Sequence, residues 1–154
     1  MKKKTYNFTS HWKIAAPLTT TWSAIVNPNL WEAWWPGVSH VRVIKSSPDV
    51  LGNEVSAVWE SASGYNLNLN LAVLRHDPNK TIIFTTSGDL SGTGRWLAKQ
   101  EGDTTLVTIF WDVTTNKTWM NVLAPLISGF LSANHKKLMA KGCEGLNRYL
   151  TNKA

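Results

Sequence analysis

The sequence predicts an α+β fold in which a seven-stranded antiparallel sheet packs against one long C-terminal helix. Short strand patterns follow one another between residues 38 and 115 and are separated only by tight turns, which is typical of an antiparallel meander. A further strand pattern and two short helical patterns precede them. Residues 117–150 form one long helical pattern, and its apolar stripe must be buried against the sheet.

The first 37 residues predict one strand and two short helices. Residues 6–14 alternate between apolar and polar side chains, as expected of a half-buried strand. Pro17 suits the first turn of a helix, and apolar residues then recur at helical spacing as far as residue 26. Residues 30–34 predict a second short helix, because a Pro-Gly pair follows it.

The middle of the chain contains six strand patterns bounded by Gly, Pro, Asn and Asp. The clearest alternation places Leu67, Leu69 and Leu71 toward the core and the intervening asparagines toward water. The predicted strands cover residues 38–46, 52–61, 65–71, 81–87, 89–100 and 104–115.

The long C-terminal helix carries features that weaken it. The ring of Pro125 clashes with a preceding helical turn, so a kink or a fresh start is predicted near Ala124. Glycines at positions 129, 142 and 145 each cost ~1 kcal/mol relative to alanine. Packing against the sheet must therefore hold the helix in place.

Length and composition predict one globular domain over residues 1–154, with residues 1–5 as a flexible basic tail. Hydrophobic residues make up 43% of the chain and charged residues 17%, which excludes a disordered protein. No apolar run approaches the ~18 residues of a membrane span. No signal-peptide pattern is present, so a cytoplasmic protein is expected.

Cys143 is the single cysteine, so neither an internal disulfide nor a cysteine-based zinc site is predicted. No metal or cofactor is expected.

The formal charge of +6 leaves two interpretations open. It could attract an acidic partner such as RNA or an anionic membrane, or it could reflect a solvated helix face and a basic tail. The second interpretation is favoured because no arginine-rich patch is interleaved with aromatic residues. No nucleic-acid partner and no stable membrane insertion are therefore predicted, and the oligomeric state is left open.

The chain contains nine tryptophans, which is more than the core of a domain of this size needs. Those on the strands share the phase of the apolar face, and each ring can bury ~200 Å² and stack on a flat ligand. Taken singly, each is also explained as core filling. Trp31, Trp34 and Trp35 are expected to form either a lid wall or an exposed patch. The predicted ligand-contacting residues are Trp12, Trp59, Leu67, Leu69, Trp96, Trp111, Leu131, His135, Leu138 and Met139.

His135 is the candidate polar group of this site. At ~100° per residue it falls within the apolar arc of the helix, one turn from Leu131 and from Leu138. It can anchor a ligand or move a proton near neutral pH. The alternative is a core histidine hydrogen-bonded to a strand side chain or to water. Alternation places Arg95 and Asp112 on the outer face of the sheet, which favours binding over acid–base catalysis.

Several motifs, in this order, resemble the SRPBCC superfamily, the START-like or Bet v 1-like helix-grip fold, and within it the polyketide cyclase/dehydrase-type branch. They are WKIAAP at 12–17, WEAWWPG at 31–37 and GTGRW at 92–96, followed by matches at 105–111, 123–126, 134–135 and 145–150. The resemblance implies an apolar cavity between the sheet and the C-terminal helix. It does not name an activity, because one fold can serve many functions.

Three hypotheses about function follow. The first is binding of a small hydrophobic ligand, lipid-like or aromatic and polyketide-like, in the internal cavity. The second is a cyclase- or dehydratase-type lyase that uses His135 as acid or base. The third is an interaction module for an acidic partner, either RNA or an anionic membrane.

Overall fold

The computed structural model describes residues 5–60, 66–116, 118–122 and 124–153, without the side chains of Trp119, residues 124–131 and Lys153. The predicted basic tail lies outside the described residues, apart from Thr5, which is the first residue of a strand rather than part of a tail. The side chain of Leu131 also lies outside them.

Seven antiparallel strands form one sheet, as predicted. Its order is β1-β7-β6-β5-β4-β3-β2, so the first strand pairs with the last, from Thr5 opposite Thr114 to Ile14 opposite Thr105. The strands are β1 (Thr5–Ile14), β2 (Val38–Lys45), β3 (Glu54–Trp59), β4 (Leu67–Asp77), β5 (Thr81–Gly88), β6 (Leu90–Glu101) and β7 (Thr104–Thr115).

Two short helices lie between β1 and β2, as predicted: α1 (Leu18–Val26) and α2 (Trp31–Trp34), joined by a 3₁₀ turn. The C-terminal region consists of α3 (Thr118–Val122) and α4 (Ala124–Lys153). Residue 123 lies between these two helices and outside the described residues, so the kink or fresh start near Ala124 stays a prediction.

The strands bury alternate residues, which directs one face of the sheet toward the helices. On β4, Leu69 is buried while Asn68 and Asn70 are exposed, as the alternation predicted. Trp12 and Ile14 of β1 are buried on the same inner face. The sheet thus has a solvated outer face and an apolar inner face.

A layer of four tryptophans (Trp12, Trp34, Trp35 and Trp96) joins this inner face to α2 and α4. Neighbouring rings lie 5.1–6.1 Å apart, mostly edge to face, which is a favourable aromatic geometry. Trp34 and Trp35 are only 2% and 4% exposed. The interpretation of these two as an exposed patch is therefore wrong, because the layer buries them.

Helix α4 approaches the tryptophan layer through two glycines. A Cβ on Gly142 would lie 2.7 Å from Trp35 Nε1 and 2.8 Å from Trp12 Cζ2. A Cβ on Gly145 would overlap the carbonyl oxygen of Trp34 and lie 3.0 Å from Pro36 Cδ. These glycines lower the intrinsic stability of the helix, but they permit the close packing that was predicted to hold it in place.

We predict that Gly145→Ala lowers the free energy of unfolding by about 1–3 kcal/mol, since the new methyl group must push back a backbone carbonyl rather than a flexible side chain. Urea unfolding monitored by circular dichroism measures the change. Ser132→Ala, at an exposed position of the same helix, is the control and should change stability by less than about 0.5 kcal/mol. Stabilisation by Gly145→Ala would contradict the close contact.

Candidate functional site: an apolar cavity under α4

A cavity of about 170 Å³ lies between the inner face of the sheet and α4. It is somewhat larger than the ~150 Å³ engineered cavity that binds benzene. Aliphatic and aromatic side chains from β1 and from β3 to β7 form most of its wall, and the end of α1 contributes Ile25 and Val26. Helix α4 contributes Asn134, His135, Leu138 and Met139.

Most of the predicted contact residues come together on this wall. They are Trp59, Leu67, Leu69, Trp96, Trp111, His135, Leu138 and Met139. Trp12 does not lie on the wall, contrary to the prediction. It is 3% exposed and belongs to the tryptophan layer, where the close approach of Gly142 leaves no space beside its ring.

Several wall residues were not predicted from the sequence. Tyr6 and Phe8 of β1 share the inner face with Trp12 and line the cavity, whereas Trp12 does not. Alternation identified the face of β1 but not the place along it where α4 leaves the sheet. Trp31 and Trp35 also line the cavity, which agrees with the lid-wall interpretation of the short-helix region.

His135 lies within an aromatic stack. Its ring centroid is 4.2 Å from that of Phe8, nearly parallel at 15°, and 5.7 Å from that of Trp111. Burial lowers the pKa of His135 from 6.5 to about 4, because the charged form loses its hydration. The imidazole is therefore neutral near pH 7, with one N–H donor and one nitrogen acceptor.

Trp111 is held in place by a hydrogen bond behind the wall. Its Nε1 donates to Thr86 Oγ1 over 3.0 Å, and Thr86 is 3% exposed. Thr86 therefore supports the indole and is not itself a wall residue. Because an indole has a single donor, Trp111 offers the cavity only its apolar ring.

Two further polar atoms belong to wall residues and lack hydrogen-bond partners within the described part of the chain. They are the hydroxyl of Tyr6 and the Nε1 of Trp59, both buried. The indoles of Trp31 and Trp35 differ, since they donate to the carbonyl oxygens of Ile25 and Leu138. Unpaired buried donors cost ~1–3 kcal/mol each.

The charged strand residues lie outside the cavity, with one exception. Arg95 and Asp112 are exposed on the outer face, as predicted, and the Arg95 guanidinium lies 4.8 Å from the Phe110 ring. Glu60, which directly follows β3, is exposed at an edge of the cavity wall. Strand β3 ends at Trp59, so alternation does not determine the direction of Glu60.

A second inner-face histidine, His76, joins α1 to the loop before β3. Its Nε2 accepts a hydrogen bond from Trp22 Nε1 over 3.0 Å, and its Nδ1 lies 2.9 Å from the carbonyl oxygen of Asp49. These partners assign the tautomer with a proton on Nδ1. The same loop contains Val50, a wall residue with a φ of 71°, which is rare for a β-branched side chain.

Two broader properties apply to the described residues alone. No group of three or more His, Cys, Asp or Glu side chains among them is arranged to hold a metal ion. Within the same ranges, no helix combines the length and apolar character needed to cross a bilayer.

Comparison with known proteins shows the family of the chain and supports its fold. A family model described as "Polyketide cyclase / dehydrase and lipid transport" matches residues 5–151. No curated protein sequence matches significantly.

Solved structures with the same fold share little sequence with this chain. The Zhui aromatase/cyclase from a Streptomyces species is 14% identical, with a TM-score of 0.79 over 95% of this chain and 93% of its own. A START superfamily protein from Mycobacterium smegmatis is 19% identical, with a TM-score of 0.73 over 94% and 98%. The di-domain ARO/CYC BexL is 20% identical, with a TM-score of 0.68 over 92% of this chain. The present chain spans 50% of BexL.

We predict that His135 makes the fold sensitive to acid. The neutral form is favoured in the folded state, so the unfolded state binds more protons between pH 6.5 and about 4. The contribution of neutral His135 to the free energy of unfolding is fully present above pH 6.5. It falls by on the order of 3 kcal/mol as the pH drops from 6.5 to about 4. His135→Phe should remove that loss, as measured by urea unfolding at several pH values. His11→Gln, on the exposed side of β1, should retain it.

We predict that His76→Phe destabilises the protein by about 1–3 kcal/mol, because the buried Trp22 N–H loses its acceptor. A double-mutant cycle with Trp22→Phe isolates the hydrogen bond. The expected coupling is about 1 kcal/mol in unfolding experiments. A coupling indistinguishable from zero would show that the two side chains do not depend on each other.

Proposed function

Because the chain belongs to the polyketide cyclase/dehydrase and lipid transport family, we propose that it binds a small hydrophobic molecule, lipid-like or aromatic and polyketide-like, between its sheet and α4. The observation that carries this proposal is an apolar cavity with a neutral imidazole on its wall. Such a site can take up a ligand by burying apolar surface, at roughly 25 cal/mol per Å². A few polar groups then orient it.

The chemistry of His135 supports binding more strongly than catalysis. A base with a pKa of about 4 accepts protons poorly at neutral pH, and its protonated form is too scarce there to act as an efficient acid. Its described ring contacts are the aromatic rings of Phe8 and Trp111. Neither ring is a carboxylate or hydroxyl that could orient the imidazole for proton transfer.

The composition of the wall also supports a ring-bearing ligand. Several wall residues are tryptophans and phenylalanines, including Trp59, Phe84 and Trp96. Aromatic side chains pack against flat ligands with little loss of conformational entropy. Binding is therefore proposed to use ring contacts for affinity and polar wall atoms for orientation.

We predict saturable binding of the uncharged fluorescent probe N-phenyl-1-naphthylamine. Leu71→Trp, on the wall, should weaken binding by at least about tenfold, because the larger side chain fills part of the cavity. Leu74→Trp is the matched control: Leu74 is 56% exposed and does not belong to the wall. It should bind the probe as the wild type does.

Circular dichroism and thermal unfolding establish whether both variants are folded. Equal weakening by the two substitutions would place the probe on the surface and not in the cavity. Absence of saturable binding to the wild type, by this probe and by a panel of uncharged hydrophobic compounds, would contradict the proposed function.

A further inference from the structure

We propose that the ligand of this cavity is electrically neutral: an uncharged ring compound bearing a hydroxyl or carbonyl oxygen, with carboxylates such as fatty-acid anions selected against. This inference rests on the proposed binding function and specifies the class of ligand that the site accepts.

The charge on the wall is the first argument. Among its described residues there is no lysine and no arginine, and Glu60 is the sole carboxylate. A carboxylate inside the cavity would thus lose its hydration without gaining a cationic partner among the described wall residues, which is strongly unfavourable.

The state of His135 is the second argument. A protonated histidine could neutralise an acidic ligand, but burial lowers the pKa of this one to about 4. At neutral pH it contributes a single N–H donor and a single nitrogen acceptor. These groups suit a hydroxyl or a carbonyl.

Glu60 is the third argument, because it places a negative charge at the edge of the cavity. It is exposed, and its backbone N–H donates to the carbonyl oxygen of Gly37, which lies against Leu138 of α4. A negative charge at this edge repels approaching anions. Neutral compounds are unaffected by that field.

The experiment compares two ligands of matched shape, naphthalene-methanol and naphthoic acid, by displacement of N-phenyl-1-naphthylamine. At about pH 7.4, fewer than about one carboxylic acid in a hundred is protonated. The alcohol should therefore bind at least about tenfold more tightly than the acid. Lowering the pH to about 5.5 should reduce the ratio of the affinity for the alcohol to that for the acid, because more of the acid is protonated. His135 remains neutral at this pH.

Substitution at Glu60 tests the edge separately. Glu60→Lys should shift the ratio of affinities toward the acid by at least about threefold, since a cation replaces a repulsive charge. Asp103→Lys makes the same change of charge at an exposed turn that does not line the cavity, and it should leave the ratio as in the wild type. Equal shifts in both variants would assign the effect to net charge and would overturn the role of Glu60.

Equal affinity of the wild type for the alcohol and the acid at about pH 7.4 would overturn the inference while leaving the proposed function intact. Failure of both compounds and of the probe to bind would instead contradict the proposed function itself. Tighter binding of the acid would require a cationic partner on the wall and would overturn the charge argument.

Discussion

The close approach of α4 to the tryptophan layer determines the rest of this structure. Gly142 and Gly145 let the helix backbone pack against Trp12, Trp34 and Trp35, and Trp35 Nε1 donates to the carbonyl oxygen of Leu138. At that end the helix and sheet are in contact and no space remains. One turn and more toward the N-terminus, the side chains of His135 and Leu138 face the cavity. The contact of Gly142 and Gly145 with the tryptophan layer therefore marks the boundary between the packed core and the cavity.

Much of this arrangement could be predicted from local patterns. Alternation identified the seven strands, because the strand period depends on neighbouring residues alone. Helical phase likewise placed His135 on the inner face. Its neutral state did not follow from phase, since the pKa depends on burial against Phe8 and Trp111.

The features that could not be predicted depend on contacts between distant segments. Alternation placed Trp12 on the correct face, but only the height of α4 above the sheet decides which inner-face residues meet open space. His76 was missed for a different reason. Strand β4 continues to Asp77 through an irregularity between Val73 and Arg75, and such a bulge interrupts the two-residue period by which strands are identified.

The pairing of β1 with β7 has a consequence for how the chain folds. Thr5 lies opposite Thr114, so β1 joins the sheet only when segments about a hundred residues apart in sequence meet. Non-local pairing of this kind slows folding, because a long loop must be closed before any contact is gained. During synthesis, β1 has no partner strand until β7 has left the ribosome, so its apolar face, which includes Trp12, stays unpacked until then. Until β7 is available, the apolar face of this strand remains exposed and prone to aggregation.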